Sequence, residues 1–382
     1  MTVTWNFPTR ILSGHGSLGS VPSEASALGG SRALVVSDPG VHAAGLTERA
    51  LEVLKEAGLE AEIFAEVAGN PTDEHVEAAI TAYRDAGADL VIALGGGSAI
   101  DVGKLVRIGG SHQGPLASYA DEAGGSARIG PLPPMIAIPT TAGTGSEVGR
   151  SAVATLRATN RKTIFFAPHL IPSVAILDPE LTVSMPAKLT AATGFDALTH
   201  NLEALSTKMH HPMAQAIARE GLGLVARYLE RAVADGSDLE ARGGMLEAAT
   251  LGAVAFQKGL GACHSLAHPL STETGMHHGL ANALCLPAVI DYNRSVIPEQ
   301  LATAAKLLGV KGDDRETLAF ECSGAVRALR KRVGLPEGLA AAGIGDEQLG
   351  HLADLAFEDV CHQENPRSCT RDALLQLYRA SM

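Results

Sequence analysis

The sequence predicts two domains, an α/β domain over residues 1–183 and an all-helical domain over residues 184–382. The chain of 382 residues exceeds what one ordinary core accommodates. In the first half, short apolar runs typical of buried strands alternate with amphipathic helical patterns, which favours a parallel sheet covered on both faces. From about Met185 onward, helical patterns follow one another with no strand of comparable quality between them.

The predicted elements end at residues suited to turns and caps. In the first domain, strands are predicted at 32–37, 61–64, 89–94 and 135–138, and helices at 47–57 and about 73–86. Gly58 ends the first of these helices, and Thr72 or Asp73 caps the second. In the second domain, helices are predicted at 189–205, 212–233, 239–256, 298–308, 315–333 and 346–356. Pro179 and Pro186 bracket the short connection between the domains.

Composition argues against several classes of protein. The net charge of −12 disfavours nucleic acid or an anionic membrane as the main partner, since both select basic surfaces. The first residues show no basic segment followed by an apolar core, and no apolar run approaches the ~18 to 20 residues of a membrane-spanning helix. The five cysteines form no CxxC pair, which argues against a disulfide framework or zinc knuckle. We therefore expect a cytoplasmic protein with a small-molecule partner.

A glycine-rich segment follows the predicted strand 89–94. Residues 95–104 (GGGSAIDVGK) suit a phosphate, because glycines let the backbone come close and the following helix offers free N–H groups and a positive dipole end. A tight turn without a ligand would explain the glycines alone equally well. Ile100 stands where the dinucleotide fingerprint has a third small residue, so this is a nucleotide loop of a different kind.

Two further segments favour a nucleotide. Residues 139–146 (PTTAGTGS) bring hydroxyl groups and glycines just after another strand, where ligands of open α/β sheets bind. Asp38 ends the first strand, where a carboxylate can bind ribose hydroxyls and repel a 2′-phosphate. The alternatives are a Ser/Thr-rich turn with a helix cap for residues 139–146 and an ordinary Asp-Pro-Gly turn for Asp38.

Histidines and one aspartate carry the chemistry of the second domain. Asp196 and His200 are four residues apart on one face of a helix, and His264 and His268 repeat that spacing. His278 follows ten residues after His268. Imidazole and carboxylate together suit Fe²⁺, Zn²⁺ or Mn²⁺. Any one of these histidines alone is more often a surface or core residue, but the cluster predicts a divalent metal site.

His210 and His211 provide a contrast to this cluster. The pair precedes Pro212, between two predicted helices. We expect both histidines to lie in a solvated turn rather than to bind metal.

Taken together, these segments resemble the iron-containing (group III) alcohol dehydrogenase family. The matching blocks are residues 70–72, 95–104, 139–148, 178–182, 189–200, 263–270 and 278–283. They run in order through nearly the whole chain, and the metal block is the specific one. The resemblance implies a dehydroquinate synthase-like nucleotide-binding α/β domain and an all-helical metal-binding domain. It also implies NAD(H) and one divalent metal, Fe²⁺ first and Zn²⁺ second, in the cleft between them.

The resemblance also implies roles for individual residues. The metal ligands would be Asp196, His200, His264 and His278. His268 would lie near the nicotinamide and help to move the proton, although spacing alone does not separate His264 from His268. Gly96, Gly97 and Ser98 would hold the pyrophosphate, Asp101 would lie near the nicotinamide end, and Thr140, Thr141, Thr144 and Lys162 would line the rest of the cofactor. Asp38 would favour NAD over NADP.

The implied activity is that of an oxidoreductase. It would interconvert a small primary or secondary alcohol and its aldehyde or ketone, with hydride transfer to or from NAD(H), in a homodimer or larger homo-oligomer. One alternative is a glycerol-type polyol dehydrogenase or a dehydroquinate synthase-like lyase on the same scaffold. The other is a non-catalytic nucleotide-binding or metal-storage protein. The pair Asp196 and His200 favours four protein ligands over the three-ligand zinc site of those related enzymes.

Overall fold

The computed structural model describes residues 5–7, 9–159 and 161–382 and contains two compact units. The α/β unit comprises Phe7–Thr141 and Gly145–Ser184. The helical unit comprises Met185–Met382, the short segment Ala142–Thr144 and the described residues before Phe7. Within the described ranges, no helix combines the length and the apolar character that a membrane span requires.

A parallel β-sheet organises the α/β unit. Its strands are β1 (Arg10–Ser13), β2 (Arg32–Val36), β3 (Glu60–Phe64), β4 (Leu90–Gly95), β5 (Met135–Pro139) and β8 (Val174–Leu177), in the order β1-β8-β5-β4-β2-β3. Leu34 and Val36 of β2 belong to one apolar cluster, whereas Ala33 and Val35 belong to another. Successive side chains of a strand point to opposite faces, so both faces of the sheet are covered. The predicted parallel sheet is confirmed.

Helices connect the parallel strands. They are α1 (Val21–Ala27), α2 (Pro39–Ala43), α3 (Leu46–Glu56), α4 (Asp73–Asp85) and α5 (Gly97–Ser111). Short 3₁₀ turns occur at Ser17–Ser20, Leu116–Tyr119, Asp121–Ala123, Gly125–Arg128, Ser146–Val148, Pro168–Leu170 and Pro179–Thr182. Thr72 is the N-cap of α4, where its backbone N–H donates to Nδ1 of His75 at 3.1 Å.

A two-stranded antiparallel hairpin was not among the predicted strands. It consists of β6 (Ser151–Leu156) and β7 (Arg161–Phe166). Every second residue of β6 is buried, namely Ala152, Ala154 and Leu156. This is the period of a strand with one covered face.

The second unit consists of helices. They are α6 (Ala187–Ser206), α7 (Pro212–Ala234), α8 (Leu239–Ala255), α9 (Ala262–Thr274), α10 (His278–Asn293), α11 (Pro298–Leu307), α12 (Arg315–Arg332), α13 (Leu349–Glu358) and α14 (Arg371–Ala380), with 3₁₀ turns at Phe256–Lys258, Ala340–Ala342, Asp346–Gln348 and Cys361–Glu364. Helix α6 is buried on all sides from Thr190 to Ser206. A helix with no solvated face lies at the centre of its unit, and α6 is packed by α7, α8 and α10.

The expectation of a solvated turn at residues 210 and 211 is wrong for His211. His210 is exposed, but His211 is only 1% exposed. Nδ1 of His211 accepts a hydrogen bond from the backbone N–H of Ala214 at 3.1 Å, which caps α7. The ring also stacks on Trp5, with 5.2 Å between the centroids. The capping role buries this imidazole, and a His-His-Pro pattern does not reveal it.

Candidate functional site

Three ionisable side chains share one face of α6. Asp196, His200 and Glu203 stand at positions i, i+4 and i+7, which is the spacing of a single helical face. They are 2%, 5% and 3% exposed, respectively. Such a buried set of charged and polar groups requires partners, because burying an unpaired charge is costly.

Histidines from α9 and α10 meet this face of α6. Oδ1 of Asp196 lies 3.8 Å from Nε2 of His200 and 3.9 Å from Nε2 of His264. Nε2 of His278 lies 3.5 Å from the same oxygen. The structure therefore brings together the aspartate and the histidines to which the sequence resemblance assigns the metal.

The distances within this cluster suit co-ligands of one cation. At 3.5 to 3.9 Å, the nitrogens stand farther from Asp196 Oδ1 than in good hydrogen bonds. Two ligands that are each about 2.1 Å from one metal ion lie roughly 3.0 to 4.2 Å apart, depending on the angle between them. The cluster therefore has the spacing of a metal site.

The protonation of the cluster also suits a cation. Burial lowers the pKa of His200 to about 4 and that of His278 well below its ordinary value, so both imidazoles are neutral at pH 7. Burial alone would raise the pKa of Asp196, but the surrounding histidines lower it below its ordinary value. A carboxylate and neutral imidazoles are the donor set that Fe²⁺ and Zn²⁺ accept.

Gly279 sets how closely α10 approaches α6. A Cβ at this position would lie 2.0 Å from the carbonyl oxygen of Ala192 and 3.3 Å from Cβ of Asp196. A side chain at 279 would push the two helices apart. The glycine therefore keeps His278 within reach of Asp196.

Glu203 orients His264. Its Oε2 lies 2.6 Å from Nδ1 of His264 and accepts a hydrogen bond from the backbone N–H of Gly261 at 3.0 Å. Its Oε1 accepts a hydrogen bond from the N–H of Cys263 at 2.7 Å, so the carboxylate also satisfies the start of α9. Because an ionised carboxylate only accepts, Nδ1 carries the hydrogen and the Nε2 lone pair faces Asp196. Sequence reasoning missed Glu203, although its helical spacing from Asp196 could have identified it.

The negative charges around His264 favour a positive occupant. Burial acts to lower the pKa of His264, but the charge of Glu203, its hydrogen bond and the charge of Asp196 together raise it. Asn282 also contacts the cluster: its Nδ2 donates to Asp196 Oδ1 at 2.9 Å and lies 3.2 Å from Nε2 of His278. Sequence reasoning missed Asn282 as well.

His268 has a different partner from His264. Its Nδ1 lies 2.7 Å from Oδ2 of Asp359, and its ring stacks on that of His278 with 5.3 Å between centroids. Sequence spacing treats His264 and His268 alike, but the structure separates them, since His264 faces Asp196 and His268 faces Asp359. Asp359 lies 91 residues from His268, so no local pattern could have identified it.

The glycine turn lies at the carboxyl edge of the sheet. Gly96 is the N-cap of α5 and Gly97 is its first residue. The N–H of Thr140 donates to the carbonyl oxygen of Gly95 at 3.0 Å, and a Cβ at Gly96 would lie 3.4 Å from Oγ1 of Thr141. Ligands of open parallel sheets bind at this edge, and a helix N-terminus attracts anions.

Asp38 lies beside this turn. Its Oδ1 accepts hydrogen bonds from the N–H groups of Gly40 and Val41, at 2.9 and 3.0 Å, and so caps α2. Its Oδ2 lies 3.1 Å from where a Cβ at Gly95 would stand, and that Cβ would also come within 2.7 Å of Cβ of Ala99. Only glycine fits at 95, and the strand ends of β2, β4 and β5 gather Asp38, Gly96, Gly97, Thr140 and Thr141.

The other residues that the sequence resemblance assigns to the cofactor have protein partners or lie on other elements. The hydroxyl of Ser98 donates to the carbonyl oxygen of Gly69 at 2.8 Å. Asp101 accepts hydrogen bonds from the hydroxyl of Ser146 and from the N–H of Val153. Lys162 is an exposed residue of β7. Thr144 is exposed and belongs to the helical unit.

Lys104, at the end of the glycine-rich block, is an internal cross-link. Its side chain is fully buried, and Nζ lies 2.8 Å from Oγ of Ser146 and 2.7 Å from the carbonyl oxygen of Ser151. The ammonium therefore joins α5 to the start of the β6–β7 hairpin.

Family models match both parts of the chain. The model "Iron-containing alcohol dehydrogenase" matches residues 8–179, and the model "Fe-containing alcohol dehydrogenase family, C-terminal" matches residues 190–382. The two matches together span most of the chain.

Individual relatives match over nearly their full length. The chain is 39% identical to a 4-hydroxybutyrate dehydrogenase of Cupriavidus necator, covering 98% of both chains. It is 35% identical to an NAD-dependent methanol dehydrogenase of Bacillus methanolicus, again covering 98% of both. A crystal structure of a 1,3-propanediol oxidoreductase superposes with a TM-score of 0.96 at 36% identity, covering 100% of both chains. The chain therefore belongs to the iron-containing alcohol dehydrogenase family, as a metal-dependent oxidoreductase that interconverts an alcohol with its aldehyde or ketone using NAD(H).

Proposed function

We propose that Asp196, His200, His264 and His278 hold the catalytic divalent metal, with Fe²⁺ as the first choice. The observation that carries this assignment is the set of imidazole nitrogens 3.5 to 3.9 Å from one oxygen of Asp196. One carboxylate and three neutral imidazoles leave a divalent site with a net charge of +1. A cation held there supplies Lewis acidity, which lowers the pKa of an alcohol hydroxyl.

The chain's own groups orient the donors and move the proton. Glu203 holds the ring of His264, and Asn282 holds the carboxylate of Asp196. We assign the proton transfer to His268, whose ring stacks on that of His278 and whose Nδ1 bonds to Asp359. The imidazole accepts a proton when the alcohol is oxidised and returns it when the aldehyde is reduced.

We propose that the glycine turn at 95–98 and residues 140 and 141 bind the cofactor, together with Asp101, Thr144 and Lys162. The turn supports this assignment because it combines a helix N-terminus with three successive glycines, Gly95 to Gly97, whose backbone carries no side chain of its own. Asp38 stands beside the turn as an acidic group that favours NAD over NADP, because its charge repels a 2′-phosphate.

The substrate we propose is a small primary alcohol or its aldehyde. Relatives named for 4-hydroxybutyrate, 1,3-propanediol and methanol support this class, since each compound carries a primary hydroxyl on a short chain. A lyase or a storage protein on the same scaffold would produce no NADH from such alcohols.

A combined metal and turnover measurement tests the proposal. The purified enzyme is stripped with a chelator, reloaded with Fe²⁺ or Zn²⁺, and assayed at ~340 nm with short primary alcohols and NAD⁺. We expect one metal per chain, loss of turnover on stripping and its return on reloading. His264→Ala should lose the bound metal while the helical content is retained. Normal turnover after thorough stripping would contradict the assignment.

We further propose that the protein works in the cytoplasm as a homo-oligomer. The five cysteines are all unpaired, which suits a reducing compartment. The family resemblance supports the assembly, since a homodimer or larger homo-oligomer is the form that it implies. Light scattering during size-exclusion chromatography measures the assembly, and a monomer mass at micromolar concentration would contradict it.

A further inference from the structure

The hydrogen bond between His268 and Asp359 links α9 to the residue that follows α13. Nδ1 of His268 lies 2.7 Å from Oδ2 of Asp359. The His268 side chain is 36% exposed, whereas that of Asp359 is 20% exposed. The imidazole therefore stays accessible to a small molecule while the carboxylate is mostly covered.

The carboxylate of Asp359 is itself held in place. Its Oδ1 accepts hydrogen bonds from the hydroxyl of Ser265 at 2.6 Å and from the N–H of Cys361 at 2.8 Å. The Ser265 hydroxyl in turn accepts a hydrogen bond from the N–H of His362 at 2.8 Å. Burial alone would raise the pKa of Asp359, but the interactions with His268 and Ser265 hold it well below its ordinary value. The group is a charged carboxylate with a fixed orientation.

A fixed carboxylate determines which nitrogen of His268 carries the hydrogen. An ionised carboxylate can only accept, so Nδ1 must donate. In the neutral ring the lone pair then lies on Nε2.

We propose that Asp359 is a positioning residue for the redox reaction, because it holds His268 in the tautomer and orientation that leave Nε2 free to accept the alcohol proton. This inference rests on the role proposed above for His268. During oxidation, the O–H bond of the alcohol breaks and an N–H bond forms at Nε2, while the C–H electron pair leaves as hydride to NAD⁺. During reduction, the proton returns from Nε2 to the oxygen and the hydride returns to carbon.

Steady-state kinetics of the metal-loaded enzyme test the proposal. Asp359→Asn keeps the size of the side chain but removes its charge, and we expect kcat to fall about 100-fold, within the range of general acid–base contributions. Metal content and the KM for NAD⁺ should stay at their wild-type values. Asp359→Glu restores the charge and should recover at least about tenfold of the loss. Asp354→Asn is the matched control, since Asp354 lies on α13 and bonds to Arg371 at the surface, and its kcat should not change.

The double variant decides whether Asp359 acts through His268. If it does, Asp359→Asn combined with His268→Gln should be no slower than His268→Gln alone. A further 100-fold fall in the double variant, wild-type kcat in Asp359→Asn, or loss of metal from Asp359→Asn would each overturn the proposal. Wild-type kcat in His268→Gln would instead overturn the role proposed for His268. In that case, a slow Asp359→Asn enzyme would show that Asp359 acts by another route.

Discussion

The carboxylate of Glu203 is only 3% exposed and accepts hydrogen bonds from His264, Gly261 and Cys263. Glu203→Gln replaces one carboxylate oxygen with an NH₂ group and leaves the rest of the side chain unchanged, so it tests how this carboxylate supports the metal site. The glutamine amide has only one acceptor oxygen, whereas the hydrogen-bond donors around residue 203 use both oxygens of the carboxylate. If the amide nitrogen faces His264, the ring must turn its lone pair to Nδ1 and place a hydrogen on Nε2, which then cannot bind metal. If the amide nitrogen instead faces Cys263, the buried backbone N–H of Cys263 loses its acceptor, which lowers the free energy of unfolding by roughly 1 to 3 kcal/mol.

The expected loss of metal affinity follows from the first of these arrangements. Removing a group that orients a metal-binding histidine weakens metal binding about 10- to 100-fold, or roughly 1.4 to 2.8 kcal/mol. The assay is competition for Zn²⁺ between the protein and a chromophoric chelator, together with thermal unfolding to verify that the variant is folded. Ser206→Ala is the control, because Ser206 is buried on the same helix and its hydroxyl donates to the carbonyl oxygen of Leu202, away from the metal ligands. A Zn²⁺ dissociation constant of folded Glu203→Gln within about threefold of wild type would refute the reasoning.

Three other predictions concern pH, packing and cofactor choice. Lys258 is fully buried with its ammonium donating to the carbonyl oxygen of Thr207 at 2.5 Å, and burial lowers its pKa from 10.5 to about 8. Between these pH values the unfolded chain binds a proton that the folded protein has released. As the pH rises from 8 to 10.5, the free energy of unfolding of the wild type should therefore increase by on the order of 3 kcal/mol relative to that of Lys258→Met. Urea titrations measure both free energies, and parallel pH curves for the two proteins would count against this. Gly279→Ala should lower both the melting temperature and the Zn²⁺ affinity, since its Cβ would meet a carbonyl oxygen at 2.0 Å. Gly324→Ala, where a Cβ would have no described atom within 4 Å, should not lower either, and equal effects would contradict the packing argument. Asp38→Ser keeps a capping hydroxyl but removes the charge, so the ratio of kcat/KM for NADP⁺ to that for NAD⁺ should rise at least about tenfold; an unchanged ratio would remove Asp38 from the cofactor site.

Periodicity predicted the parts of the fold whose local sequence agrees with their final environment. Strands β2, β4 and β5 are apolar runs, and α6 to α8 begin and end within a few residues of their predicted bounds. In β3 exposed and covered residues alternate, which is also a strand pattern. Helices α9 and α10 were not among the predicted helices because each contains an internal proline, Pro269 and Pro287, which ordinarily argues against a helix. The hairpin β6–β7 was missed although its alternating pattern was present.

The candidate site shows a similar division. Residue types and helical spacing identified five metal-binding candidates, Asp196, His200, His264, His268 and His278, because a metal requires such donors. Only the family resemblance left His268 out of the ligand set. Sequence could not identify Asp359, because its contact with His268 joins segments 91 residues apart. Asn282 lies one helical turn from His278, so its spacing could have identified it, although its bond to Asp196 joins two different helices. The sequence also could not assign different partners to His264 and His268, because both lie on one face of the same helix. In the structure His264 bonds to Glu203, whereas His268 bonds to Asp359.

Asp196, His200 and Glu203 must lie on one face of α6. The number of residues between them is therefore fixed more strictly than the identity of those residues. One residue inserted between Asp196 and Glu203 would rotate everything after it by about 100° and advance it by about 1.5 Å. The insertion would turn Glu203 away from the start of α9, even if every original side chain were retained. Insertions and deletions between Asp196 and Glu203, natural or engineered, are therefore incompatible with metal binding, whereas the exposed residues 208–210 before α7 can vary in number.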